Sequence, residues 1–551
     1  MISKKTVQIL LVSTIFVLLV VLTVVSTAYT SKKPEIEALD PPAASPDDVL
    51  SIHGRGFGEG RGNGDVLIAG IRLTASHYLA WNDSEIRIRV PYGVDSGRVY
   101  VITDKGRSNG VLFANKSRIP VILSGPVKPG YPYIESISPE QGAVGRKMVI
   151  KGMNFGRRRG NGRVYFRFLA VDNTAAAKTD AEAEQGEIAC SEIDFDYELW
   201  SDQEINVYVP DGAVSGNIVV ENDRGRSNSV YFEVINPVGT KRFEQKKGYQ
   251  IQQNIFISNV DVTESGQGVE LWVPNLLEGY AQRNVEAIHE PEPVWSDYHG
   301  IMRYSIKPPK EWLEYSLSHT YWLDRYSIFT DINPAAINSG YDTERQLYIH
   351  YTAPDFFVPS NDEDLIAVSQ SVTRGIRNPY WKAKAIYDYL IRRLEYDPEF
   401  TYQTLYQALE ERKAHARDYG LLFTALARSA GIPARPVSGF LIHGDKLTKR
   451  HIWAEFYIPE FGWFPVDPSL ADGAGIYGIQ VEDPGSFYFG NLENQHITFS
   501  RQVIQIPKVN PQSLIKVIDD PYSLQTSYEE YPRELQGYVS RWPDIRIVDW
   551  W

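Results

Sequence analysis

The residues best suited to chemistry lie in one short stretch near residue 451. His451-Ile-Trp-Ala-Glu-Phe-Tyr-Ile458 alternates, with Ile452, Ala454, Phe456 and Ile458 on one face of a strand and His451, Trp453, Glu455 and Tyr457 on the other. The first set reads as the core face, so His451 is expected to point off the packed side. Pro459-Glu-Phe-Gly462 is a turn, and the chain returns through Trp463-Phe-Pro-Val-Asp467. Such a hairpin places His451 and Asp467 on neighbouring strands, near enough to pair, with the register left open. An imidazole oriented by a carboxylate serves as a base and then an acid in acyl transfer. The same pair can equally be a hydrogen bond that supports the hairpin. The ten histidines contain no His-Glu-x-x-His and no evident cluster, so no metal site and no cofactor are expected.

Two helices precede the hairpin. Ala383, Ile386, Leu390 and Leu394 form one apolar stripe that starts after Asn378-Pro379. A second helix starts near Ala416, carries Tyr419, Leu422, Phe423, Leu426 and Ala430 on one face, and stops at Gly431. Ahead of both, Lys246 to Tyr351 alternates in the manner of strands, as in Tyr249-Gln-Ile-Gln-Gln-Asn-Ile-Phe-Ile257.

Three motifs stand in order: Arg417-Asp-Tyr-Gly-Leu-Leu-Phe-Thr-Ala-Leu-Ala-Arg-Ser-Ala-Gly-Ile-Pro-Ala-Arg435, His451-x-Trp-Ala-Glu455 and Gly462-Trp-x-Pro-Val-Asp-Pro468. Together they resemble the core of the transglutaminase-like superfamily. The resemblance covers about 360–505, with 246–359 as a β-rich lead domain, and Gly490 to Ser500 resembles the closing strands. It implies an α+β, papain-like core whose triad is a Cys at a helix start, a His on a strand and an Asp after it. In that chemistry a thiolate, stabilised by the helix end and an imidazolium, forms an acyl-enzyme that passes to water or to an amine. The family reads Gly-x-Cys-Arg-Asp where this chain has Ala414-His415-Ala416-Arg417-Asp418. Ala416 therefore occupies the nucleophile position, and a methyl group has no lone pair with which to attack. Arg417, Asp418, Trp453 and Trp463 are candidates to line or brace the cleft. His415 would project about 100° away around the helix, if helical. Cys190, the single cysteine, stands among Glu182, Glu184, Glu187 and Glu192, which disfavour a thiolate, and reads as a strand residue.

The chain has 551 residues, too many for one core, and one cysteine excludes a disulfide framework. With 56 Lys and Arg against 69 Asp and Glu, the average surface repels polyanions, so no nucleic-acid partner is expected. Thr6 to Ser31 carries no charge. As a helix it would be ~39 Å long against a hydrocarbon core of roughly 30 Å. Residues 1–33 are thus expected to be a transmembrane anchor, the competing reading being a signal peptide cut after Ser26-Thr-Ala28. Lys4 and Lys5 keep the N-terminus cytoplasmic, which leaves the bulk outside, in a bacterial periplasm or at the cell surface.

A duplication follows. Pro34-Glu-Ile-Glu-Ala-Leu-Asp-Pro41 recurs 98 positions later as Pro132-Tyr-Ile-Glu-Ser-Ile-Ser-Pro139, and Gly54, Phe57 and Asn63 recur as Gly152, Phe155 and Asn161. Trp81 and the Gly-Arg-Ser-Asn ending at Asn109 recur as Trp200 and Asn228, now 119 positions apart, so the second copy carries an insertion. Its Thr174 to Gly186 reads as an exposed loop or short helix. Short alternating strands and Gly-rich turns suit two Ig-like β-sandwiches, 34–118 and 132–236, and the motifs resemble IPT/TIG domains, which implies spacer or binding modules. Gly54 to Gly64 offers no Gly-x-Gly-x-x-Gly in any register and reads as turns. The aromatic tail 506–551, ending in Trp550 and Trp551, is expected to cover the groove, dock on a partner or simply pack. The expected whole is a single-pass membrane protein whose inactive transglutaminase-like domain binds a peptide, protein or cell-wall partner. The alternative is an active cysteine peptidase or acyltransferase whose Cys has been changed to Ala.

Overall fold

The computed structural model describes residues 33–551 apart from 92–93, 95, 117–128, 172–182, 261–267, 297, 308–313, 338–339, 401–403 and 536. The expected anchor, Thr6 to Ser31, lies outside the described residues. Among those described, no helix is long and apolar enough to cross a membrane. The chain divides into two compact units, 1–126 and 127–551.

In the first unit, one sheet runs Glu35–Asp40, Val49–Arg55, Glu85–Arg89, Tyr78–Trp81, and a second is built on Val111–Asn115, Gly97–Thr103 and Asp65–Ile68. Leu50, Ile52, Val66, Ile86, Val99 and Val101 close its core. The repeated motif residues are those that hold such a sandwich together. Trp81 Nε1 donates to the Phe57 carbonyl at 3.0 Å, and Trp200 Nε1 to that of Phe155 at 3.1 Å. Asn109 and Asn228 each accept, at 2.8 Å, from the backbone N–H of the opening strand, at Ile36 and Ile134. A Cβ at Gly54 or Gly152 would collide with the carbonyl of Glu35 or Tyr133. Glycine is required there because the opening strand crosses at backbone contact distance.

The second unit begins with the second sandwich, which does not end before the lead domain starts. Strand β1 (Gly239–Ser258) opens ahead of Lys246, touches the sandwich at Val171↔Glu244, and pairs along its length with β2 (Glu314–Ile332). Sandwich and lead domain therefore share one sheet. Of the insertion, 174–182 lies outside the described residues, while Ala183–Ala189 is a strand on Arg163–Val171 instead of a loop or helix. The C-terminal segment is not free either. Val539–Arg541 and Arg546–Trp550 add to β1, and Glu529–Tyr531 joins the sheet of Val269–Pro274, so both complete the lead domain.

The core sets α1 (Pro379–Arg393) and α2 (Ala416–Ser429) beside a sheet ordered β5-β4-β3-β6, with β3 (Ala434–His443), β4 (Leu447–Ile458), β5 (Gly462–Val466) and β6 (His496–Ser500). Asn378 caps α1, accepting from the N–H of Tyr380 at 2.9 Å, with Pro379 at the first helical position. Gly431 follows α2 at φ +76°, the left-handed conformation a helix stop needs. Helix α3 (Pro468–Gly473) follows β5 directly.

Candidate functional site

Position 416 is the first residue of α2. His415 precedes it in an extended conformation, φ −81° and ψ 164°, so it is a cap and not part of the helix. Its Nδ1 accepts from the Arg417 N–H at 3.3 Å, while Asp418 Oδ2 accepts from the His415 N–H at 2.8 Å. This reciprocal box satisfies two amides at the helix start. Burial, then the charges of Arg417, Lys449 and His451, pushes the His415 pKa down to about 4. The ring stays neutral and keeps the lone pair that the cap requires. One turn further on, Gly420 lies flat on β4, where a Cβ would stand 2.9 Å from the Ile452 carbonyl oxygen. The start of α2 is thereby held beside the strand residue that follows His451.

The hairpin register sets Ala454 opposite Val466, so Asp467 falls just past β5 and becomes the cap of α3. Its Oδ1 accepts from Ser469 Oγ at 2.6 Å and from the N–H groups of Ser469 and Leu470 at 3.1 Å each. Its Oδ2 meets His451 Nε2 at 2.6 Å and His496 Nε2 at 3.0 Å. Burial alone would raise the Asp467 pKa, but the charges and hydrogen bonds of His451 and His496 outweigh it and hold the carboxyl well below the usual range. Because an ionised carboxylate only accepts, both Nε2 atoms carry protons. A neutral His451 then has its lone pair on Nδ1, which is buried and has no hydrogen-bond partner. An oriented ring with a free basic nitrogen is what a nucleophile's proton would need; the side chain of Ala416 supplies none.

His496 was not singled out by sequence reasoning, although it lies in the stretch resembling the closing strands. It arrives through the pairing of β6 with β3, Leu441↔His496, a contact that no local pattern announces. Burial disfavours its charged form, yet Glu493, 3.3 Å from Nδ1, and Asp467 raise its pKa to about 9. His451, Asp467 and His496 offer donor atoms within 4.8 Å of one another, a set able to hold a metal ion, where the sequence led us to expect none. A cation there would displace the proton of His496.

The cleft candidates separate. Asp418 braces the cap, and Arg417 Nη1 donates to the Asp519 carbonyl at 2.9 Å, tying the C-terminal segment to the start of α2. Trp453 stacks on His451, with ring centres 6.1 Å apart, and meets His496 edge-on at 4.9 Å. Trp463 instead donates from Nε1 to Asp194 of the second sandwich at 2.8 Å and lies beneath Arg435. The face expected to be open is therefore covered. His451, Trp453, Glu455 and Tyr457 are all buried, because residues of the sandwich and lead domain pack where solvent was expected. Cys190 lies in the sandwich core, where burial and then Asp196 push its thiol pKa well up.

A helix start set against an oriented His–Asp pair on an antiparallel sheet is the layout of the cysteine-nucleophile acyl-transfer class. Comparison with known proteins agrees. Residues 366–468 match the transglutaminase-like superfamily, and 34–115 and 132–234 match the IPT/TIG domain. The chain thus carries a transglutaminase-like core behind two IPT/TIG domains. An uncharacterized protein of Haemophilus influenzae is 30% identical over 115 residues, 16% of this chain and 31% of that protein. The uncharacterized protein YebA of Bacillus subtilis is 26% identical over 165 residues, 25% of this chain and 22% of its own. The chain therefore spans less than a third of either relative. Among solved structures, the periplasmic domain of TgpA from Pseudomonas aeruginosa is 15% identical, covering 48% of this chain and 83% of its own, at a TM-score of 0.25.

Proposed function

We propose that this is a membrane-anchored, extracytoplasmic protein whose transglutaminase-like core is catalytically silent and holds a peptide, protein or cell-wall chain without cleaving it. The observation that carries this reading is Ala416, a buried methyl at the first position of α2, where the family places its thiol. In a comparable triad, loss of the nucleophile costs about 2 × 10⁶ in turnover. The apolar run Thr6 to Ser31 supports the anchor, and Lys4 and Lys5 support export of the rest. A fold that no longer reacts can still bind an extended chain through backbone groups and side-chain pockets.

A second reading, an enzyme whose authentic chain carries Cys at 416, is favoured by the unpartnered Nδ1 of His451, a base kept in place with nothing to serve. One experiment separates them. The native protein and Ala416→Cys are incubated with peptide amides and with iodoacetamide, and intact mass is recorded. The native protein should form no acyl adduct and show no enzyme-like turnover, whereas Ala416→Cys should gain one alkylated thiol at the helix start that favours a thiolate, Cys190 being held protonated in both by burial and Asp196. Turnover by the native chain would overturn the silent reading, and a Cys at 416 in the source gene would establish the second.

A further inference from the structure

Asp467 Oδ2 receives two imidazoles, although a triad carboxylate has only one ring to orient. His451 Nε2 stands 2.6 Å from it and His496 Nε2 3.0 Å. The three atoms converge within 4.8 Å of one another, and all three side chains are buried. They come from three elements: β4, the cap of α3 and β6. Two of the three are braced from behind. Asp467 Oδ1 is fixed by Ser469 Oγ and by two N–H groups of α3, which leaves Oδ2 to face the rings. Glu493 Oε1 lies 3.3 Å from His496 Nδ1. A carboxylate behind the ring is the usual partner of a metal-bound histidine, because it fixes the orientation and the tautomer. Arg325 meets His496 at the backbone carbonyl, 2.6 Å from Nε, which leaves the imidazole to the carboxylates.

We infer that these side chains bind one divalent transition-metal ion of the zinc kind, through Nε2 of His451, Oδ2 of Asp467 and Nε2 of His496. Two imidazoles and one carboxylate suit zinc and its first-row neighbours, whereas calcium and magnesium take oxygen ligands. At bond lengths of about 2.0–2.2 Å, neighbouring ligands of a tetrahedron stand roughly 3.3 Å apart, so the two contacts open by only about 0.7 and about 0.3 Å. The ion takes the Nε2 lone pairs, so His496 keeps its proton on Nδ1, facing Glu493, and that of His451 moves to Nδ1. The latter nitrogen has no hydrogen-bond partner, so the change of tautomer breaks no bond there. Three protein ligands leave one tetrahedral position for a water.

Metal binding here rests on the silent core proposed above. In a working triad, a cation on Nε2 would compete with the hydrogen bond that orients the base. Beside Ala416 there is no such function to lose. The ion instead joins β4, α3 and β6 at one point and stabilises the core by mass action.

The test titrates the full chain, without an affinity tag and stripped with a chelator, with zinc, cobalt and calcium chlorides. Zinc should bind at one site per chain and raise the unfolding midpoint as its concentration rises, and calcium should do neither. Cobalt should give the strong visible absorption of a tetrahedral ion, which zinc then discharges. Glu493→Gln should weaken zinc binding by about tenfold, and Asp467→Asn and His496→Gln by more. His289 and His319, whose Nδ1 atoms lie 3.1 Å apart, are the competing pair, and His289→Gln should leave binding unchanged. No amide or alkylating agent is present, so failure here and failure of the silent-core reading are distinguishable. Should Asp467→Asn or His496→Gln not fold, Glu493→Gln and the cobalt spectrum of the native chain decide. No zinc binding, calcium binding as tightly, a weak six-coordinate cobalt spectrum, undiminished binding by Glu493→Gln, Asp467→Asn or His496→Gln, or loss of binding in His289→Gln would each overturn the proposal.

Discussion

His415 and His496 flank the same site and carry opposite pH signatures. The unfolded chain takes up a histidine proton near pH 6.5. Folded His415 does so only near 4, so its contribution to stability is complete above about 6.5 and is lost as the pH falls. Folded His496 keeps its proton to about 9, so its contribution is complete below about 6.5 and is lost as the pH rises through 9. Urea midpoints at pH 5, 7 and 9 should therefore fall on both sides of neutrality. His415→Asn retains a good cap and should flatten the acid limb, while His496→Gln should flatten the alkaline limb. His415→Ala at pH 7 should cost about 1 kcal/mol, the usual worth of a cap. An acid limb unchanged in His415→Asn would show that the cap is not the group titrating.

At the scale of elements, the site depends on how closely α2 lies on β4. Gly420 permits that approach, since the nearest atom to an added Cβ is a backbone oxygen, which cannot rotate aside as a side chain would. Gly420→Ala should cost about 1–3 kcal/mol by overpacking, measured by urea denaturation, and in an Ala416→Cys background it should also slow alkylation. A loss within 0.5 kcal/mol would mean that the helix shifts freely. These elements were readable because each has a local cause. Period and caps place α1 and α2, and the turn at Pro459 to Gly462 brings His451 towards Asp467. What was not readable depends on distant partners. His496 enters through β6 pairing with β3, and the second face of β4 is filled by side chains from the sandwich and lead domain. Alternation in His451 to Ile458 cannot reveal that, because it distinguishes one face from the other and not a covered face from an open one.

At the scale of the whole second unit, the repeat domain reads from sequence as a spacer or a binding module, yet its side chains are built into the core. Arg435 is fully buried, bonded to Asp194 of the sandwich and at 2.8 Å to Glu455 of β4, with the Trp463 ring 3.8 Å from its guanidinium carbon. Asp194 also takes the Trp463 indole N–H, and Asp211 takes the Trp463 backbone N–H at 2.8 Å while pairing with Lys241 of β1. Two sandwich carboxylates thus satisfy groups on three other elements. Removing one leaves a buried charge half-paired and an indole unmatched, a loss of about 3–5 kcal/mol. Asp194→Ala should therefore lower the urea midpoint of the core transition itself, followed by the fluorescence of the buried tryptophans, and not merely that of a separate sandwich transition. A true spacer would behave otherwise: Asp194→Ala would leave the core midpoint where it is, and a fragment beginning at β1 would fold as stably as the full chain. If the side chains do what their placement implies, that fragment should instead expose Trp463 and Arg435 and fail to give a cooperative transition.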